Sequence, residues 1–448
     1  MKSNWIIRPD FLRLGFTFLL ALTFSAGQSF QIAPDLQEGM LQNSHVSGIP
    51  YMKGRAIHIL PGTHNNESGY FSLSVGRNGR IYVGTAKYDV NAYLVEFDPA
   101  TEGQQIVLDV NQLCEVSDSG YMSQAKIHTF NYIDSKGVIY MGTKQGFMRP
   151  ERGDDPWDYP GGFVLSYDPA NGQASVLGQV PFKGHGVSDV VYDEKRKKAY
   201  VTTCEDTGRL GLWYELDPET GSFKGIGPLT SLFSTTVINQ DGVAFTITRD
   251  CKIASYNPAT GKTRERTITC NGNPVQYSYK SVQYMVMAKD RQTAYFIDMQ
   301  DARLYEFDLS TDQGDLQATD RGKMLRGEAL DVRPNLHFGP DGKIYTAILR
   351  KEKCPESGQE FSLNHIVCYD PNTNLSQDLG VLTVENDDFF DFSQVDTTRY
   401  PYHGFRRLPD GTLAPVQPCL ALDVSPDGTL YCTTLYPFSL IRVKLSIP

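Results

Sequence analysis

Two short signatures recur along the 448 residues, and their recurrence constrains the fold more than any other feature. The first is a tight turn running into an aromatic-bearing strand. It reads RNGRIYVG (77–84), SKGVIYMG (135–142), KRKKAYVT (195–202), QDGVAFTI (240–247), DRQTAYFI (290–297), PDGKIYTA (340–347) and PDGTLYCT (426–433), seven copies in all. The second is an alternating strand ending in Asp-Pro or a relative. Its copies are YLVEFDPATEG (93–103), FVLSYDPANG (163–172), LWYELDPETG (212–221), IASYNPATG (253–261), LYEFDLSTD (304–312) and IVCYDPNTN (366–374). Pro presets φ for a turn, and Asp or Asn hydrogen-bonds the turn backbone. Each repeat therefore reads as four strands, A to D, with tight A–B and C–D turns.

A chain of this length exceeds one ordinary core, but repeats escape that limit because each unit buries its faces against its neighbours. Plentiful Tyr (25) and Phe (23), with 40 Gly and 25 Pro, favour strands and turns. No window sustains a 3.6-residue apolar period. The expected fold is all-β: a seven-bladed β-propeller of four-stranded antiparallel blades. The last copy ends in LIRVKL (440–445) and supplies only three strands, so AIHILPG (56–62) is expected to add the fourth and close the ring. Residues 1–27 read as a signal peptide, 28–55 as an N-terminal extension and 56–448 as the propeller.

The paired signatures resemble those of secreted bacterial propellers with DG-x-(I/L)-Y and Y-D-P-x-T-G strands. That broad group takes in gluconolactonase-like, streptogramin-lyase-like and YVTN-type proteins. The resemblance covers nearly the whole mature chain and implies architecture; it matches no single characterised family and does not by itself imply an activity.

The N-terminus carries Lys2, Arg8 and Arg13 around an apolar run, Leu14 to Phe24, with Ser25 and Gly27 before Gln28. This is the pattern of an export signal, and the run is short for a membrane span. The expected location is periplasmic or extracellular, with no membrane span after cleavage, as a monomer. The formal net charge of −10 becomes −12 once three basic groups and Asp10 are removed. An acidic exterior argues against nucleic acid as a partner.

In a propeller, A–B and C–D turns share one face while B–C and D–A connections share the other. The long connections all belong to the second kind: Asn111–Lys126, Thr143–Gly162, Gly322–Pro334, Lys351–His365 and Asn386–Pro418. Long loops on a rigid scaffold commonly carry function, so the site is expected there. Eight cysteines in an exported chain permit disulfides. Strand positions point to Cys251–Cys270 and Cys419–Cys432 across hairpins and Cys354–Cys368 around a B–C loop, leaving Cys114–Cys204.

Residues near the starts of A strands approach the ring axis on that face. They include Lys126, His128, Lys183, His185, Lys280, Arg333 and His337. The loops add Lys144, Arg149, Trp157, Tyr159, Arg209, Arg249, Tyr279 and Tyr402. Aromatic rings beside cations suit an acidic glycan or another anionic ligand. One expected chemistry is β-elimination on a uronate: His128 or His185 as base and Tyr279 as acid. Lys126, Lys144, Arg149, Arg209, Arg249, Lys280 and Arg333 would hold the anionic substrate, with Trp157 and Tyr402 beside it. The pattern departs from that of propeller ulvan lyases, because YMGTKQGF has Lys144 where a second His would fall. No clustered Cys/His pattern or DxDxDG loop points to a metal. No cofactor is required, although a structural Ca2+ remains open. The alternative is a propeller that binds or scaffolds a glycan or protein without turnover.

Overall fold

The computed structural model describes residues 48, 50–60, 68–116, 119–205, 211–230, 234–275, 284–299, 301–333, 335–354, 357–391 and 404–445. The signal-peptide segment, Arg209, Tyr279, Lys280 and Tyr402 lie outside the described residues.

The Asp-Pro turns form as their chemistry dictates. The side-chain oxygen of Asp98 accepts the N–H of Ala100 at 2.9 Å, Asp168 that of Ala170 at 2.9 Å, and Asn257 that of Ala259 at 3.0 Å. The carbonyls of the same three residues take the N–H groups of Glu102, Gly172 and Gly261, each at 2.8 Å. Residues 172 and 261 sit at φ +72 and +68, where glycine carries no Cβ penalty.

Between such turns the chain runs as antiparallel four-strand units. The first is Ser68–Val75, Ile81–Ala86, Tyr93–Phe97 and Gln104–Asp109. The second is Tyr132–Ile133, Ile139–Lys144, Phe163–Asp168 and Gln173–Gln179, and the third is His185–Asp193, Lys198–Glu205, Trp213–Asp217 and Ser222–Gly225. The fourth and fifth span Thr236–Ile238 to Lys262–Cys270 and Tyr284–Met287 to Leu316–Lys323. The sixth runs from His337–Phe338 through Ile344–Lys353 and Glu360–Asp370 to Leu375–Val384. In the last, Leu422–Val424, Thr429–Thr434 and Ser439–Lys444 are flanked by Tyr51–His58, with Arg55 opposite Arg442 and His58 opposite Ser439. The architecture is all-β and propeller-like.

Packing follows this order. Leu94 and Leu108 of the first unit share a buried cluster with Met141 and Leu165 of the second. Val164 and Val187 join the second to the third, and Phe245 and Phe296 the fourth to the fifth. One further cluster unites Leu73, Val83 and Phe97 near the start with Tyr431, Phe438 and Leu440 near the end. Between the units, Asp189 accepts the N–H of Thr236 and Asp423 that of Val75, each at 2.7 Å. Phe130, before the second unit's first strand, meets Tyr284 of the fifth with ring centroids 4.2 Å apart.

Three expected loops contain strand: in 322–334, Ala329–Asp331 pairs with Ile344–Lys353. Residues 351–365 are largely a long hairpin, paired without interruption from Ile344 opposite Tyr369 to Lys353 opposite Glu360. Charge disguised it: Lys351 and Lys353 are exposed while Glu352 between them is buried, the period of a half-buried strand. Within 386–418, Phe405–Arg407 pairs with Leu413–Pro415.

The cysteine pairing expected around that loop fails. Cys368 lies opposite Tyr345, and Cys354 follows Tyr345 by nine residues on the partner strand. At the rise of a strand, that places the two about 30 Å apart, far beyond disulfide reach. Of the other expected pairs, Cys419 and Cys432 lie within side-chain hydrogen-bond reach of each other, and Cys251 and Cys270 border the same apolar cluster.

Candidate functional site

Second strands end, and first strands begin, on the face that carries the B–C and D–A connections. There the short strand Lys126–Ile127 bridges two units, with Lys126 opposite both Ala86 and Lys144. The two lysines are thus direct cross-strand neighbours, and both are buried. Lys126 Nζ lies 4.3 Å from the centre of the Tyr88 ring and 5.5 Å from that of Tyr70, positions in which a ring face stabilises a cation.

His128 follows two residues later, packed against Tyr70 at 4.6 Å and edge-on to Phe71 at 5.2 Å. Burial, then Lys144, then Lys126 hold its pKa well below the ordinary value. His185 opens the third unit opposite Glu205. Its Nδ1 is 2.9 Å from Thr203 Oγ1, and its buried Nε2 has no hydrogen-bond partner. Burial, and secondarily Lys144, lower its pKa to about 4. Both imidazoles are therefore neutral near pH 7. His365 is a useful contrast. Burial pulls its pKa down too, but Asp378 at 2.9 Å and Glu352 at 3.0 Å outweigh that and raise it.

Backbone shape lets these groups converge. A Cβ on Gly186 would stand 2.5 Å from Lys144 Cγ and 2.8 Å from Gln145 Oε1, so only glycine fits. Gln145 Nε2 donates to Gly184 O at 3.4 Å, while its buried Oε1 has no partner. At the rim, Phe182 lies edge-on to His185 at 4.8 Å and to Trp157 at 5.9 Å. Phe182 is 41% exposed and Trp157 49%, leaving an aromatic step open to solvent beside the buried imidazole.

The structure thus brings together Lys126, His128, Lys144 and His185, with Trp157 at the edge. Arg149 lies beside them, ion-paired with Asp89 and 5.6 Å from the Phe147 ring. Arg249 and Arg333 belong to the fourth and sixth units instead. Arg249 sits in a turn with its N–H on Leu229 O, and Arg333 is ion-paired with Asp331 at 2.8 Å. Tyr159, a loop tyrosine, is fully buried and donates to Gln124 Oε1 at 2.6 Å, a packing role. Asp154 and Asp155 accept the N–H groups of Arg149 and Trp157 and shape the loop. Sequence reasoning missed Tyr70, Tyr88, Gln145 and Phe182. Only the two that flank named residues, Gln145 after Lys144 and Phe182 before Lys183, carried any local signal.

Fold and site define an all-β, propeller-like protein with a buried basic cluster on one face. No family model matches the chain, and no curated protein matches it. Among solved structures, a Bacteroides uniformis protein provisionally assigned as a 6-phosphogluconolactonase aligns at 13% identity. That alignment covers 76% of this chain and 84% of that one, with a TM-score of 0.45. The periplasmic gluconolactonase of Pseudomonas aeruginosa aligns at 13% identity over 82% and 96% of the two chains, with a TM-score of 0.46.

Proposed function

We propose that this is an exported seven-bladed propeller, closed by Tyr51–His58, that takes the anionic group of an acidic saccharide at the Lys126–His128–Lys144–His185 cluster. The pairing of residues 55–58 with 439–442 and the cluster joining the first and last units support the closure. Among the described residues, no helix is long and apolar enough to cross a membrane.

One observation carries the functional reading: two neutral imidazoles stand beside two buried lysines, next to an exposed aromatic pair. Cations hold a carboxylate, and Trp157 and Phe182 offer ring faces to the C–H side of a sugar. With Nδ1–H donating to Thr203, His185 Nε2 carries the lone pair of a base. In a uronate, that nitrogen would take the C5 proton. The released electron pair forms the C4–C5 double bond as the C4–oxygen bond breaks, and the leaving oxygen takes a proton from water, to which His185 returns its own. Lys144 and Lys126 stabilise the negative charge that grows on the carboxylate. A bound carboxylate also offsets Lys144 and so raises the basicity of His185.

The enclosure of both imidazoles favours a second reading, binding without turnover, since His185 has no exposed surface. Incubation with polygalacturonate or alginate separates the two. New ultraviolet absorbance from unsaturated uronate, lost in His185→Ala, is the expected result of the lyase reading. Retention on the immobilised polymer without that absorbance removes the lyase and keeps the binding protein. No retention in either form removes the acidic saccharide.

A further inference from the structure

Away from that face, the outer strands of the fourth and fifth units enclose a second group of charges. The strand Lys262–Cys270 meets Leu316–Lys323 in a parallel pair only at Ile268–Leu316 and Thr269–Gln317. Beside this junction the structure opens a cleft of about 550 Å3, lined by Lys252, Arg264, Glu265, Arg266, Asp312 and Asp315 among others. A volume of that order suits a small organic molecule rather than a bare ion.

Arg266 is the unusual residue in it. Its side chain extends toward the apolar cluster shared by the two units, with the guanidinium carbon 5.8 Å from the Phe245 ring. The residue is only 6% exposed. Its Nη1 reaches Gln313 O at 3.4 Å, but Nε and Nη2 are buried with no hydrogen-bond partner. Two other arginines on outer strands pair with carboxylates. Arg55 meets Glu102 at 2.6 Å and Arg321 meets Glu306 at 2.9 Å. Among the described residues Arg266 has no such ion pair, and burial lowers its pKa although Asp312 and Asp308 act in the other direction.

Nε–H and the adjacent Nη2–H form one edge of the guanidinium fork, the edge that grips a carboxylate with two parallel hydrogen bonds. Leaving both donors dry is costly, and a planar oxyanion satisfies both together. We propose that this cleft is a second ligand site, which takes a small organic acid with its carboxylate on the guanidinium of Arg266, the side chain turning from the Phe245 ring to present its Nε/Nη2 edge. Lys252 and Arg264 add positive charge to the cleft. Glu265, Asp312 and Asp315 supply acceptors for several hydroxyl groups along the same ligand, which a hydroxylated sugar acid carries and the compact inorganic phosphate cannot reach. The site stands on residues separate from the basic cluster of the first three units.

The test reads the Arg266 side chain directly. In protein labelled with 15N at arginine Nε, the Arg266 signal is the one absent from Arg266→Met. That variant replaces a buried charge with an apolar chain of similar length, so the fold is expected to survive. Glucuronate and inorganic phosphate are the two probes. The expected result is a saturable shift of the Arg266 signal with glucuronate, at least tenfold weaker with phosphate. Arg266→Lys, which keeps the charge and loses the fork, should weaken glucuronate binding tenfold or more. The shift should persist in Lys144→Met, so failure of the basic-cluster reading would leave this one standing. No saturable shift with glucuronate overturns the proposal, and so does equal binding of phosphate.

Discussion

Lys144 stands directly opposite Lys126, and the imidazoles of His128 and His185 both feel its charge. Replacing it tests the electrostatics of the cluster without any assumption about substrate. Lys144→Met removes one of the causes that lower each imidazole, so both pKa values should rise, His185 from about 4. Proton NMR titration of the ring Cε1–H signals reads this, and unchanged values would refute the coupling. The sign for stability follows. His185 is depressed below 6.5, so the unfolded chain binds the extra proton between pH 6.5 and 4. Stability is lost as pH falls through that window, by roughly 3 kcal/mol for this group, and Lys144→Met should shrink the loss.

Gly186 tests the shape of the same cluster. Alanine there would press on Lys144 Cγ and Gln145 Oε1 at 2.5 and 2.8 Å. Gly186→Ala should cost about 1–3 kcal/mol as an overpacked position and weaken acidic-polymer retention at least tenfold. Gly225→Ala is the control, because an added Cβ there meets nothing within 4 Å. Equal effects of the two changes on retention would exclude a shaped pocket around Lys144.

Much of this was legible because turn chemistry is local. The Asp98, Asp168 and Asn257 turns are closed by atoms within four residues, so the repeat and its strands can be read from spacing alone. Lys126, Lys144 and His185 were legible for a related reason: each marks the end or start of a strand whose face the repeat assigns. Tyr70 and Tyr88 were not, because what brings them to Lys126 is the junction of two units. Arg266 was invisible for the same reason, since its cleft exists only where two outer strands diverge.

The thiols give a chemical check on the strand register. Peptide mapping without reductant should find no Cys354–Cys368 bridge, because the long hairpin separates the pair by about 30 Å. Cys114, its thiol pushed up to about 12 by burial, should resist alkylation at pH 8 in the folded protein and react after unfolding. A Cys354–Cys368 peptide would show that the hairpin register is wrong.

Asp189 is a carboxyl buried between units, accepting the Thr236 N–H at 2.7 Å. Burial raises its pKa to about 7, against the pull of the Thr236 and Val190 N–H groups. A raised carboxyl contributes stability that is present below pH 3.8 and lost as pH rises through 7. Asn keeps an acceptor for Thr236 and carries no charge. Asp189→Asn should therefore match the natural protein near pH 4 and exceed it at pH 8, by up to roughly 4 kcal/mol. Thermal unfolding at the two pH values reads the difference, and a gain independent of pH would assign the effect to something other than ionisation.

Asp423 holds the seam where the end of the chain meets its beginning. One carboxylate oxygen accepts the Val75 N–H at 2.7 Å, and the other lies 2.9 Å from His337 Nε2. Burial lowers the pKa of His337, but Asp423 outweighs it and the net shift is upward. That ion pair stabilises fully below pH 6.5 and fades as pH rises through the raised value. Asp423→Ala leaves the Val75 N–H without its acceptor, at about 1–3 kcal/mol, and takes the carboxylate from His337, whose side chain is 39% exposed, so it should be destabilising, more so at pH 5.5 than at pH 9. Asp423→Asn retains an acceptor for Val75 and loses the charge. Its deficit should appear at pH 5.5 and largely vanish at pH 9. Hydrogen exchange locates the effect: the Val75 amide should lose protection in Asp423→Ala and keep it in Asp423→Asn. Protection of Val75 unchanged in both variants would mean that the seam between the first and last units does not depend on this carboxylate.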